Sequence, residues 1–183
     1  DLAARLESFE LAYRMQVAAP EAFDIGRETK QTQEAYGLNT PESKDYGRQC
    51  LTARRLIERG VRFVQVFADV AKTPGGGVND VPWDAHSDIS VNHGMCGRSV
   101  DKPTGALLDD LKQRGLLDDT LVIYGGEFGR TSDSQGAKGR DHNPNAFTTW
   151  MAGGGVKGGT QYGASDTFGY KAVENRVSAH DLH

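Results

Sequence analysis

Apolar positions in the first 60 residues recur with the period of an amphipathic helix. Within residues 1–18 the large apolar side chains are spaced by four, three and four, which predicts a helix whose apolar face consists of Leu2, Leu6, Phe9 and Tyr13. A more polar helix is expected over residues 21–36. A third helix follows, with Thr40 as its predicted N-cap and Gly60 as its predicted C-terminal stop.

Two segments have the character of strands rather than helices. Residues 61–68, VRFVQVFA, are rich in alternating β-branched and aromatic residues, which predicts a core strand. Residues 121–124, LVIY, predict a second strand after a helix that runs from about residue 98 to Gly115. The segment AFTTWMAGGG, residues 146–155, predicts a third strand that ends in glycines.

This succession of helices, strands and loops predicts an α/β fold with a mainly parallel sheet flanked by helices, because crossover helices join parallel strands. Residues 1–183 are expected to form a single domain that is the C-terminal part of a larger one, because the closing VSAHDLH resembles the start of a helix that is cut off. In such sheets ligands bind beyond the carboxyl ends of the strands. Candidate chemistry is therefore sought in the loops after residues 68, 124 and 151.

Composition narrows the classes of function. Of the 183 residues, 37% are hydrophobic and 25% are charged, which is typical of a globular protein. The formal net charge is -4 and like charges form no block, which argues against a nucleic-acid partner. No apolar run approaches the roughly 20 residues of a transmembrane helix, so no membrane span is expected. Two cysteines are too few for a disulfide framework.

Carboxylate and imidazole groups follow two of the predicted strands. The first loop contains WDAH, in which Asp84 and His86 point the same way if the backbone is extended. The loop after residue 124 offers a larger polar set: Glu127, Arg130, Arg140, Asp141 and His142. Oxygen and imidazole ligands together suit a divalent cation, with Ca²⁺, Zn²⁺, Mg²⁺ and Mn²⁺ as candidates. The predicted metal ligands are Asp84, His86, Glu127, Asp141 and His142.

Each of these groups also has a simpler interpretation. The two polar residues of WDAH could form an exposed turn. Glu127 could pair with Arg130, because an unpaired carboxylate after a buried strand would be costly, and Arg140 could pair with Asp141 in solvent. Recurrence of such groups at successive strand ends favours the metal site. Arg130 and Arg140 are then the predicted catalytic residues, because their guanidinium groups would neutralise the oxygens of an anionic substrate.

Several long segments resemble one family of bacterial proteins. LLDDLKQRGLLDDTLVIYGGEFGRT and GRDHNPNAFTTWMAGGGVKGGTQYGASD are similar to the domain of unknown function 1501, a sulfatase-like branch of the alkaline phosphatase superfamily. ARRLIERGVRFVQVF, WDAH and VSAHDLH fit the same family in the same order, so the resemblance covers nearly the whole chain. It implies a metal-dependent hydrolase of sulfate or phosphate esters, with an anionic ester as substrate and sulfated polysaccharide as one candidate.

The resemblance also implies departures from the sulfatase pattern. Glu127 stands where sulfatases have an aspartate ligand, and Phe128 stands where they have a histidine, so one usual ligand is missing or is supplied by Asp141 or His142. The nucleophile is expected outside this sequence, and Cys96 is interpreted as structural. A non-catalytic relative that binds a metal or an anionic polysaccharide is the alternative. Relatives commonly carry export signals, which suggests an exported or periplasmic location.

Overall fold

The computed structural model describes residues 2–68 and 83–182. Within that part of the chain, four α-helices precede six short β-strands. The helices are α1 (Leu2–Phe23), α2 (Lys30–Ala35), α3 (Lys44–Glu58) and α4 (Ile89–Gln113). The strands are β1 (Val122–Tyr124), β2 (Gly129–Arg130), β3 (His142–Asn143), β4 (Trp150–Ala152), β5 (Ala164–Ser165) and β6 (Ala172–Glu174). Single 3-10 turns lie at Ile25–Arg27, Leu117–Asp119 and Ala179–Leu182.

Helices form where the apolar period predicted them, but their ends differ. α1 continues five residues beyond the predicted end at residue 18, because Pro20 lies in its last turn, where the missing N–H removes only one backbone bond. The polar helix predicted over 21–36 is divided into a 3-10 turn and α2. The N-cap of α2 is Thr29, whose hydroxyl accepts from the Thr32 N–H at 3.1 Å.

The boundaries of α3 and α4 also depend on local capping. α3 begins at Lys44 instead of directly after Thr40, and Gly60 follows its end with φ 81, a conformation that glycine adopts without strain. α4 begins nine residues before the predicted residue 98, because Asp88 Oδ1 accepts from the N–H groups of Ser90 and Val91 at 3.1 and 3.2 Å. No helix within residues 2–68 and 83–182 is long and apolar enough to cross a membrane.

The chain divides into two compact units, and the prediction of a single domain within a larger one stays a prediction. The first unit comprises residues 1–69 and 98–111, and the second comprises 70–97 and 112–183. In the first unit, α3 turns Tyr46, Cys50 and Leu51 inward, together with the guanidinium group of Arg54. This buried cation is surrounded by carboxylates, which places a charged cluster inside the core of the unit.

Three carboxylates approach Arg54 within ion-pair distance. They belong to Glu28 at 2.9 Å, Glu58 at 2.6 Å and Asp110 at 2.9 Å. Only the contact with Glu58 also has hydrogen-bond geometry. Arg54 Nε and Nη2 lie close to carboxylates but do not have the angles of a hydrogen bond. Burial opposes ionisation of Glu28, but the nearby guanidinium groups of Arg54 and Arg55 outweigh it and lower the pKa of Glu28. Burial raises the pKa of Tyr36, and its neighbour Asp110 adds to that effect.

The strands of the second unit form three two-stranded antiparallel sheets within the described residues. β1 pairs with β4, β2 with β3, and β5 with β6. The predicted α/β fold with a mainly parallel sheet is therefore wrong for the described residues. Tyr124 is opposite Trp150 in the β1–β4 pair, and the two rings stack with centroids 5.4 Å apart. The chain after β1 returns as an antiparallel partner, where the prediction required a crossover to a parallel one.

The strand predicted at residues 61–68 is also wrong. This segment forms no β-strand in the described part of the chain, and Phe63 and Phe67 are exposed. Alternating β-branched and aromatic residues indicate a preference for a pleated, half-buried surface, but they do not supply the neighbouring backbone that a strand needs. In the loop that follows, residues 69–82 lie outside the described residues.

Candidate metal centre

Two distant loop segments of the second unit meet through backbone hydrogen bonds. β2 and β3 pair so that Arg130 lies opposite His142. The Arg140 N–H donates to the carbonyl oxygen of buried Ala85 at 3.0 Å. The WDAH segment is therefore held beside β3, although His86 and His142 are 56 residues apart in the chain.

A turn at residues 135–139 packs directly against the WDAH segment and requires glycine. A Cβ atom added at Gly139 would lie 1.8 Å from the carbonyl oxygen of His86. Gly139 exchanges two backbone hydrogen bonds with Gln135, at 2.9 and 3.1 Å. Lys138, in the same turn, accepts a backbone hydrogen bond from the Ile89 N–H at 3.2 Å. The turn thus fixes the backbone on both sides of His86.

Asp84, His86 and His142 converge on one point, and we call them the triad. Asp84 Oδ1 lies 2.8 Å from His86 Nε2 and 2.7 Å from His142 Nε2. The two Nε2 atoms are 3.1 Å apart. Lone pairs of one oxygen and two nitrogens at such distances repel one another unless protons or a cation lie between them. The triad offers three ligand atoms to one cation.

The separations within the triad fit the coordination of a small divalent cation. Bonds of about 2.0–2.1 Å meeting at right angles give ligand atoms about 2.9 Å apart, and tetrahedral angles give about 3.3 Å. The observed separations of 2.7, 2.8 and 3.1 Å lie near the first value. Ca²⁺ requires bonds of about 2.3–2.6 Å and six to eight oxygen ligands, so it fits this donor set poorly.

The electrostatics of the triad keep its carboxylate available. Burial opposes ionisation of Asp84, but hydrogen bonds from His142 and Arg130 outweigh it and lower the pKa of Asp84 to about 2. The three side chains are 36–41% exposed, so an ion can reach them from solvent. An ionised carboxylate beside two imidazoles is the chemistry that zinc, manganese and iron sites share.

The comparison with protein families places the whole chain. A family model described as a protein of unknown function, DUF1501, matches residues 1–183. The chain belongs to the DUF1501 family. No curated protein and no solved structure matches it. The sulfatase-like part of the resemblance therefore has no support from these comparisons.

Arg130 contacts the triad but is bound to protein groups. Its Nη2 donates to Asp84 Oδ1 and to the Trp83 carbonyl oxygen, both at 2.8 Å. Its guanidinium carbon lies 5.7 Å from the centroid of the Phe128 ring. The alternative in which Arg130 pairs with Glu127 does not describe this DUF1501 chain, because the carboxylate partner of Arg130 is Asp84.

Arg140 is held within its own loop. Its Nη1 donates to the carbonyl oxygen of Gly139 at 2.8 Å, and longer contacts of 3.3 and 3.4 Å reach Ser134 and Lys138. These bonds brace the turn that packs on His86. The predicted catalytic role of Arg140 stays a prediction, since its contacts explain a structural role for the side chain.

Two predicted ligands lie outside the triad. Glu127 is an exposed residue in the loop between β1 and β2, and it does not belong to the group of ligand atoms formed by the triad. Asp141 is exposed, and its Oδ1 accepts from the N–H of the next residue, His142, at 2.8 Å. Within the described residues, the structure thus brings together three of the five predicted ligands and leaves these two aside.

Two side chains that support the triad were not predicted for that role. His86 Nδ1 is hydrogen bonded to Gln135 Oε1. The Phe128 ring stacks on the His142 ring, with centroids 4.1 Å apart and planes 27° apart. The sequence motif drew attention to Phe128 only as a residue that cannot coordinate. Nothing in the local sequence marks Gln135, which lies 49 residues from its partner.

Cys96 is buried within α4, and burial raises the pKa of its thiol to about 11. A buried thiol with a raised pKa is a poor nucleophile, which fits the interpretation of Cys96 as structural. The neighbouring His93 also faces the protein, because its Nε2 lies 3.3 Å from the carbonyl oxygen of Trp83. That carbonyl therefore has two polar contacts, His93 and Arg130.

Proposed function

We propose that this DUF1501 chain binds a divalent cation at the triad. The triad would be the metal centre of a hydrolase of sulfate or phosphate esters. The observation that carries the proposal is the convergence of Asp84 Oδ1, His86 Nε2 and His142 Nε2 within 3.1 Å. The sulfatase-like resemblance of the sequence suggests the ester class, and the triad offers ligand atoms for the cation that such a hydrolase needs.

The donor set favours particular cations among the candidates. Two imidazoles and one carboxylate suit Zn²⁺, Mn²⁺ or Fe²⁺, whereas Mg²⁺ and Ca²⁺ prefer oxygen ligands. Three protein ligands leave further coordination positions for substrate or water, as in catalytic rather than structural zinc sites. We therefore place Zn²⁺ and Mn²⁺ ahead of Mg²⁺ and Ca²⁺.

The residues of the chain have distinct tasks in this proposal. A bound cation would polarise an ester oxygen and lower the pKa of water. Arg130 donates a hydrogen bond that favours the ionised form of Asp84, and it also fixes the carboxylate against the Trp83 backbone. Partial exposure of the triad leaves room for an anionic ester to approach. The nucleophile is not assigned to any residue of this chain.

A second candidate function is metal or anion binding without turnover. It is favoured because both predicted catalytic arginines bond to protein groups. Arg130 donates to Asp84, and Arg140 donates within its own loop. Both guanidinium groups thus already bond to protein groups, as structural arginines do. Anionic polysaccharide would be a ligand, not a substrate, in this case.

Metal content and turnover, measured on the same samples, distinguish the two candidates. The full-length gene product, which the hydrolase proposal requires to supply the nucleophile, is dialysed against Zn²⁺ or Mn²⁺ and assayed by elemental analysis. It is then tested with p-nitrophenyl phosphate and p-nitrophenyl sulfate. His142→Ala removes a triad ligand, and His180→Ala removes an exposed histidine outside the triad as a matched control.

The hydrolase proposal expects one bound cation per chain and ester cleavage, both lost in His142→Ala and kept in His180→Ala. Stoichiometric binding without cleavage of either ester supports the binding candidate. Wild-type protein that retains no cation after dialysis would rule out the hydrolase and would also rule out metal binding without turnover.

A further inference from the structure

We infer that Gln135 is the positioning residue of the metal centre, and that it aims the Nε2 lone pair of His86 into the triad. This inference rests on the proposed function, because it concerns the same site. Its basis is the bond between Gln135 Oε1 and His86 Nδ1, together with the backbone contacts that hold both residues.

The bond to Gln135 decides which nitrogen of His86 carries the proton. A neutral imidazole has one N–H, and a carboxamide oxygen can only accept. His86 Nδ1 must therefore be the donor to Gln135 Oε1, which leaves Nε2 with a lone pair. That lone pair faces Asp84 Oδ1 at 2.8 Å and His142 Nε2 at 3.1 Å. In the metal-free protein, the N–H that His142 Nε2 donates to Asp84 at 2.7 Å lies between these groups, and a cation would take its place. This is the tautomer that can bind a cation at the triad.

The backbone makes Gln135 a rigid partner. Gln135 exchanges two backbone hydrogen bonds with Gly139, and Gly139 packs directly on the carbonyl oxygen of His86. The side chain of Gln135 and the backbone of its turn thus contact the same residue from two directions. Less conformational entropy is lost when the amide binds the ring, because its backbone is already fixed.

The two imidazoles of the triad are oriented by different means. Outside the triad, the ring of His142 stacks on Phe128 with a centroid separation of 4.1 Å, whereas the ring of His86 has a hydrogen bond to Gln135. Stacking fixes the plane of a ring but not its tautomer. A hydrogen bond fixes both, as outer-shell partners of metal-binding histidines generally do. Loss of Gln135 should therefore affect the protonation pattern of His86 specifically.

Two substitutions at Gln135 separate positioning from simple packing. Gln135→Leu removes the acceptor and keeps a similar volume, and Gln135→Glu keeps an acceptor at the same place. Gln161→Leu is the control, because Gln161 is an exposed glutamine outside the turn. Zn²⁺ affinity is measured by competition with a chromophoric chelator. The tautomer of His86 is read from its ring ¹⁵N chemical shifts in the metal-free protein.

We expect Gln135→Leu to weaken Zn²⁺ binding by about 10–100-fold, the usual effect of losing an outer-shell partner. Gln135→Glu should bind at least as tightly as wild type, and Gln161→Leu should be unchanged. His86 should carry its proton on Nδ1 in wild type and lose that preference in Gln135→Leu.

Two outcomes would overturn the inference, and they can be told apart. Wild-type affinity together with an unchanged tautomer in Gln135→Leu overturns the role of Gln135 while the proposed metal centre stands. Absence of Zn²⁺ binding by wild type overturns the metal centre and the role of Gln135 with it. If Gln135→Leu fails to fold, Gln135→Glu still decides, because weaker binding in that variant contradicts positioning by an acceptor.

Discussion

Replacing Arg54 with methionine should destabilise the first unit strongly. The Arg54 side chain is 1% exposed, and the three carboxylates around it belong to Glu28, Asp110 and Glu58, which are 11%, 16% and 24% exposed. Methionine occupies a similar space without the charge. The variant therefore keeps the packing of α3 and leaves the carboxylates without their shared cation.

The expected loss follows from which carboxylates keep another partner. Removing one member of a buried ion pair costs about 3–5 kcal/mol. Glu28 keeps its ion pair with Arg55, and Asp110 keeps the hydrogen bond that the Tyr36 hydroxyl donates at 3.0 Å. Glu58 is the most exposed of the three and can be hydrated. We therefore expect a loss near the lower end of the range, about 3 kcal/mol.

Equilibrium unfolding in urea at pH 7 measures this loss, with the free energy of unfolding obtained by linear extrapolation. Arg14→Met is the control, because Arg14 forms an exposed ion pair with Glu10 one helical turn away in α1. Such pairs contribute less than about 0.5 kcal/mol. Equal stabilities for the two variants would refute the reasoning, since they would show that water already solvates the carboxylates around Arg54.

Three further predictions concern the thiols, the turn and the carboxylate of the triad. Burial raises the pKa of the Cys50 thiol to about 12 and that of the Cys96 thiol to about 11. At pH 8 a disulfide reagent should therefore label the native chain at least about 100-fold more slowly than the chain in urea. Equal labelling rates would contradict the burial of the two thiols. Gly139→Ala should cost about 1–3 kcal/mol in urea unfolding, because its Cβ would meet the His86 carbonyl oxygen, whereas Gly158→Ala, with open space around it, should not. The folded pKa of Asp84, about 2, lies below the ordinary aspartate pKa of 3.8, so ionised Asp84 stabilises the fold above pH 3.8 and this stability is lost as the pH falls towards 2. Asp84→Asn should flatten the fall in unfolding free energy between pH 5 and pH 2, and an unchanged slope would contradict the lowered pKa.

Helices were predictable from the sequence because their signal is local. The apolar period of residues 1–18 follows from contacts one turn apart in the chain. The ends were less predictable, since they depend on single side chains such as Asp88, which begins α4 earlier than the apolar period alone indicated.

The strands were not predictable in the same way, because a strand depends on a partner that lies elsewhere. Residues 61–68 have strong β character and form no strand in the described part of the chain. Val122–Tyr124 form a strand, but their antiparallel partner, Trp150–Ala152, could not be deduced from composition. Pattern indicates which residues suit a pleated surface, and it contains no information on the direction of the neighbour.

Three of the five predicted ligands meet, although the reason given for their meeting was wrong. The prediction placed them at the carboxyl ends of parallel strands, and the described residues contain no such sheet. The triad forms instead because the β2–β3 pair presents His142 and because the Arg140 N–H binds the Ala85 carbonyl oxygen. Glu127 was selected for its position after a strand and for its place in the sulfatase pattern, and it does not join the triad.

An anomalous difference map from a crystal of the protein grown with Zn²⁺ tests the metal centre most directly. We predict a single strong peak at the zinc edge, about 2.0–2.2 Å from Asp84 Oδ1, His86 Nε2 and His142 Nε2. A peak bound by Glu127 without the triad, or no peak within reach of these three atoms at saturating Zn²⁺, would contradict the account.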